Sequence, residues 1–132
     1  MIVDTSAWIE YLRATGSFCD LHLQLGLMRG HNFLMPSVVL QEVLQGASSA
    51  AHYMMLLRGL EQIPVFEAQD VHELHRQAGL LYARCRWQGI TIRSAMDCVV
   101  AACALEADLP LLARDRDFAG ICRIEPKLKL VS

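Results

Sequence analysis

Charge is scarce in this chain. Only 20% of its 132 residues are Asp, Glu, Lys or Arg, against 54% hydrophobic ones, a balance that excludes a disordered polyelectrolyte. The length leaves little room for two ordinary domains, so one domain over residues 1–132 is expected, large enough to build a core without covalent staples. Paired cysteines are also missing. Cys19, Cys85, Cys98, Cys103 and Cys122 are odd in number and include no Cys-x-x-Cys pair, which reads as reduced core thiols of a cytoplasmic protein. Long apolar runs are absent too: the longest, Cys98 to Leu105, falls far short of the roughly 20 residues of a bilayer span. No basic segment leads into an apolar one at the N-terminus, so neither a membrane nor an export signal is expected. Gly-x-Gly-x-x-Gly, Gly-x-Ser-x-Gly and Walker loops are all lacking, which removes the nucleotide-cofactor and serine-hydrolase classes.

What is present alternates. Met1-Ile2-Val3 reads as a strand that halts at Asp4 and passes through Thr5-Ser6 into a helix with Trp8, Tyr11 and Leu12 on one face. Phe18, Leu21, Leu25 and Met28 trace a second helix that ends near Gly30 and suits packing on a sheet face. Residues 32–35 read as a buried strand, Val38 to Gln45 and about Ser49 to Gln62 as helices, and Ile63-Pro64-Val65-Phe66 as an edge strand. The stripe Val71, Leu74, Ala78, Leu81 and Cys85 marks a long helix from Asp70 to Gln88. The segment from Ser94 to about Ala107 is apolar nearly all round and reads as a buried helix. Leu109 to Ala113 is expected as a fourth strand and Cys122-Arg123-Ile124 as a fifth, with a short Asp115 to Gly120 segment between them. Such alternation argues for an α/β domain with a mainly parallel sheet and helices on both faces.

Parallel sheets bind ligands beyond the carboxyl ends of their strands. Asp4 follows the first strand, Asp115 follows the fourth, Glu42 lies on the helix after the second, and Asp97 falls in the first turn of the Ser94 helix. Each acid has a purely structural explanation: Asp4 as a helix cap, Ser94-x-x-Asp97 as a capping box, Asp115 as a turn former. Glu42 is the hardest to explain that way, because its helical neighbours are apolar and a buried carboxylate without a partner is costly. Several carboxylates within a few ångströms of one another require protonation or a cation, and Mg²⁺ or Mn²⁺ suits an all-oxygen site that receives phosphates. Arg93, Arg114 and Arg116 lie beside these acids in sequence, and ten of the twelve basic residues are arginine, the side chain best shaped to grip a phosphate. Tyr11, Tyr82 and Trp87 could stack unpaired bases. His72 and His75 lack zinc-helix spacing and read as solvated.

Four segments, Ile2-Val3-Asp4-Thr5-Ser6, Pro36-Ser37-Val38-Val39-Leu40-Gln41-Glu42, Asp97-Cys98-Val99-Val100-Ala101-Ala102 and Leu111-Leu112-Ala113-Arg114-Asp115-Arg116-Asp117-Phe118, together resemble a PIN domain. The compact length resembles the VapC toxins of bacterial toxin-antitoxin pairs. The resemblance implies a five-stranded parallel sheet flanked by helices and a Mg²⁺- or Mn²⁺-dependent endoribonuclease in the cytoplasm. It carries Asp4, Glu42, Asp97 and Asp115 over as catalytic, metal-holding acids, with Asp117 as an additional acid and Ser6 as a polar support at the substrate. It further implies a homodimer and a VapB-type antitoxin. Ala113 departs from the pattern, since the family commonly has Thr or Ser two residues before the fourth acid. The alternative is therefore a weak or inactive PIN-like module that binds RNA or protein.

Overall fold

The computed structural model describes residues 1–132. In chain order it contains β1 (Ile2–Val3), α1 (Thr5–Leu12), α2 (Phe18–Met28), β2 (Met35–Pro36), α3 (Ser37–Gln45) and α4 (Ala50–Leu60). There follow β3 (Val65–Phe66), α5 (Val71–Trp87), α6 (Ala95–Ala107), β4 (Leu111–Leu112), α7 (Asp117–Ile124) and β5 (Leu130–Val131). All strand pairs are parallel: β1 with β4, β4 with β5, and β2 with β3. A parallel bridge from Ile2 to Leu34 joins the two sets into the order β3-β2-β1-β4-β5. The chain therefore winds outward from β1 in one direction, returns to its other side at β4, and leaves a switch point between β1 and β4.

Ile2, Val3, Leu111 and Leu112 are fully buried, as strands covered on both faces require. The helices pack in two groups, α1 to α4 and α5 to α7, and α6 also touches α3 and β1. That position explains why α6 is apolar nearly all round: Cys98, Val100, Ala101, Ala102, Cys103 and Ala104 are all buried. No helix is long and apolar enough to cross a membrane, and all five cysteines are free thiols.

Two expectations are corrected. Cys122-Arg123-Ile124 forms the last turn of α7 instead of a strand. Phe118 and Ile121, three residues apart, are both buried, and that helical period overrides the local alternation of Cys-Arg-Ile. The fifth strand is Leu130–Val131, beside β4. Helix α2 also presents a different face. Its longest apolar stripe is exposed, with Phe18 at 53%, Leu21 at 56% and Met28 at 84%, while Cys19, Asp20, Leu23 and Gly26 are buried. Small residues decide this orientation, because a Cβ at Gly26 would lie 2.4 Å from Cζ of Phe33. The glycine lets the helix approach that ring. Asp20 tolerates burial because its carboxylate accepts from Gly16 N at 2.8 Å and Gln24 Nε2 at 2.7 Å. Gly30, at φ +71°, then turns the chain out of α2.

Candidate metal centre

Asp4 is the N-cap of α1: its Oδ2 accepts from Ser6 N at 2.9 Å and from Ser6 Oγ at 2.6 Å. The capping role and the site role coincide, since the same carboxylate is buried at the end of β1. Burial pushes its pKa up and repulsion from Glu42 adds to the rise, while the Ser6 hydrogen bonds oppose it. Glu42, half-buried on α3, accepts from Thr5 Oγ1 at 2.8 Å. Thr5 was not singled out in the sequence, although its place directly after Asp4 was a usable signal.

Ser6 Oγ also accepts from Arg114 N at 2.9 Å and Asp115 N at 3.3 Å. One hydroxyl thus ties the exit of β1 to the exit of β4, across the switch point. Ala113 is buried and offers no hydroxyl of its own, so the loop after β4 is steadied from α1 instead. Asp115 Oδ1 accepts from Asp117 N at 2.9 Å, the local turn that its sequence position suggests, and also from Arg93 Nη2 at 2.9 Å. Asp117 Oδ2 accepts from Arg93 N at 3.0 Å and Arg93 Nε at 3.1 Å.

Asp97 behaves differently from the capping residue its spacing suggests. Ser94 caps α6 by accepting from Met96 N at 3.3 Å, but the reciprocal bond of a capping box is not made. Instead Asp97 Oδ2 is buried with no hydrogen-bond partner. Asp97, Asp115 and Asp117 carry ligand-capable oxygens that all lie within 4.8 Å of one another. Burial, then repulsion from Asp4, Asp115, Asp117 and Glu42, pushes the Asp97 carboxyl up to about 7. The five acids therefore share one electrostatic site.

A buried carboxylate oxygen without a hydrogen-bond partner, near four other acids, is a ready ligand for a cation, and the all-oxygen donor set suits a hard divalent ion. The residues fit Mg²⁺ or Mn²⁺. Among the arginines, Arg93 is engaged by Asp115 and Asp117, Arg114 pairs with Glu10 at 2.8 Å, and Arg116 is exposed without an ion pair. Glu10, which also accepts from Thr15, carries no motif in the sequence beyond its place one helical turn after Ser6. A trough of about 590 Å³ is lined by Phe66, Val71, Val99 and by Gln41 and Met96, the sequence neighbours of Glu42 and Asp97; none of the five acids lines it.

The fold and this site define the class: a doubly wound α/β domain with an acidic cluster where the strand order reverses. The chain belongs to the PIN domain family, whose profile matches residues 1–124. It is 34% identical over 125 residues to VapC ribonuclease Mb1587 of Mycobacterium bovis, covering 94% of this chain and 92% of that protein. The same figures hold for ribonuclease VapC11 of Mycobacterium tuberculosis. Among solved structures, VapBC2 of Rickettsia felis bound to a promoter DNA fragment matches with a TM-score of 0.73 at 20% identity, covering 98% of this chain and 96% of that one. FitAcB of Neisseria gonorrhoeae matches with a TM-score of 0.71 at 17% identity, covering 99% and 96%. At these identities the structures speak for the fold.

Proposed function

We propose that this protein is a Mg²⁺- or Mn²⁺-dependent endoribonuclease and the toxin of a VapBC-type pair. The observation that carries the reading is Asp97, whose buried Oδ2 lacks a partner among Asp4, Glu42, Asp115 and Asp117. The curated relatives named as ribonucleases support the activity, and the VapBC complexes support an antitoxin partner.

Asp4, Glu42, Asp97 and Asp115 would hold the cation. When bound, it acidifies a water for in-line attack and offsets charge on the phosphate oxygens. Ser6 fixes Asp4 against the loop that carries Asp115, so both acids meet the substrate in one geometry. Arg116, and Arg114 when released from Glu10, would grip phosphates flanking the cut without reading their sequence. Trp87, 73% exposed, lies beside Arg123 and Ile124 in the last turn of α7, whereas Asp117 opens that helix. The exposed stripe of Phe18, Leu21, Leu25 and Met28 on α2, with Met54 and Met55 on α4, offers apolar area to an antitoxin or to a second copy.

The test is to sequence RNA ends after brief expression of this protein beside its Asp97→Asn variant. New ends confined to the parent are expected, and identical ends in both would overturn the assignment. Purified protein should cut single-stranded RNA, and not matched DNA, in Mn²⁺ but not in EDTA.

A further inference from the structure

Arg93 stands out because it pairs with two of the five acids, and its contacts are unequal. Its Nη2 reaches Asp115 Oδ1 at 2.9 Å, and its Nε reaches Asp117 Oδ2 at 3.1 Å and Asp117 Oδ1 at 3.4 Å. Its own backbone N–H closes on Asp117 Oδ2 at 3.0 Å. Both oxygens of Asp117 are therefore taken by one residue.

The other four acids differ. Hydrogen bonds to Asp4 fall on Oδ2, those to Glu42 on Oε1 and those to Asp115 on Oδ1, while Asp97 Oδ2 has none. Each keeps an oxygen that no protein donor occupies. Asp97 and Asp115 have ligand-capable oxygens within 4.8 Å of one another, and Asp4 and Glu42 stand near enough to repel the Asp97 carboxylate, so the four would suit one hard divalent ion completed by water. A second ion would need the Asp115–Asp117 side, where a guanidinium already sits and would repel it. A planar fork can bridge two carboxylates in this way, whereas a lysine point charge cannot.

Resting on the metal-dependent reading above, we propose that Arg93 is a positioning residue that fills the place of a second metal ion between Asp115 and Asp117, leaving a site for one divalent ion against Asp4, Glu42, Asp97 and Asp115. Arg93 then serves the acids and not the RNA. Its absence should open the Asp115–Asp117 pair to another cation, because two carboxylates left without a counter-charge attract one. Arg93 and Ser6 together orient Asp115, in a loop where Ala113 offers no hydroxyl.

The experiment counts ions. Mn²⁺ binding to the full-length protein, followed by calorimetry and by the loss of free Mn²⁺ signal in electron paramagnetic resonance, should give one ion per chain. Arg93→Ala and Arg93→Gln, checked for folding by circular dichroism, should each raise the count to two. Two ions in the unmodified protein, or a count that stays at one in both folded variants, would overturn the proposal. If neither variant folds, the count in the unmodified protein alone decides. No Mn²⁺ binding by the unmodified protein would overturn the metal-dependent reading itself, and this proposal with it.

Discussion

Replacing Asp97 with Asn should stabilise the protein at pH 8 when a chelator removes divalent ions. The Asp97 carboxyl is pushed up to about 7 by burial and by its acidic neighbours, whereas an unfolded aspartate ionises near pH 3.9, by the reference value of about 3.9. The folded state thus holds this proton more tightly than the unfolded state. Stability therefore falls as pH rises from about 4 to about 7 and stays at its lowered level above that window. About three pKa units correspond to roughly 4 kcal/mol, and sharing of the proton among coupled acids reduces the recoverable part to the order of 1–4 kcal/mol. Asparagine keeps the shape, removes the charge and can donate its amide hydrogens to the remaining carboxylates. Urea unfolding of both proteins in EDTA at pH 5 and pH 8 measures the effect. The advantage of the variant should be larger at pH 8, and saturating Mn²⁺ should shrink or reverse it, because ion binding stabilises only the parent. An advantage that is absent, or that does not grow with pH, would refute the claim that Asp97 is a strained member of one shared acidic site.

Mn²⁺ affinity of the parent should weaken by up to about tenfold per pH unit below pH 7, since binding must displace the Asp97 proton; titration calorimetry at pH 6 and pH 7.5 checks this. Ser6→Ala should cost about 1–2 kcal/mol in urea unfolding, because it strips a hydrogen bond from buried Asp4 and leaves Arg114 N and Asp115 N without their acceptor. Leu23→Ala should cost about 2–5 kcal/mol and Leu21→Ala less than about 0.5 kcal/mol, a contrast that follows from the buried and exposed faces of α2. Gly26→Ala should cost about 1–3 kcal/mol through the clash with Phe33.

Much of the plan was readable in the sequence, for a physical reason. Buried parallel strands such as Ile2–Val3 and Leu111–Leu112 are short apolar runs, and α5 carries one unbroken stripe, so both signals are local. Asp4 and Asp115 stand out in the sequence because they follow β1 and β4, a position that chain order reveals. Glu42 and Asp97 instead lie inside α3 and α6 and are signalled by apolar helical neighbours and by place in the first turn. Cys122 to Ile124 misled because three residues cannot separate a period of two from one of three or four, and the burial of Phe118 and Ile121 had to be known first. Helix α2 misled because apolar residues outnumber the core-facing ones, and a glycine decided the orientation by steric fit.

Residue type and order alone determined an α/β domain with acids at the strand ends, because hydrophobic period and charge are properties of neighbouring positions. Which acids lie together, which oxygens remain open and which arginine is spent on Asp115 and Asp117 depend on distances between residues far apart in the chain. Those distances exist only once the sheet has folded, when desolvation and Coulomb repulsion act across the switch point and turn separate carboxylates into one coupled site.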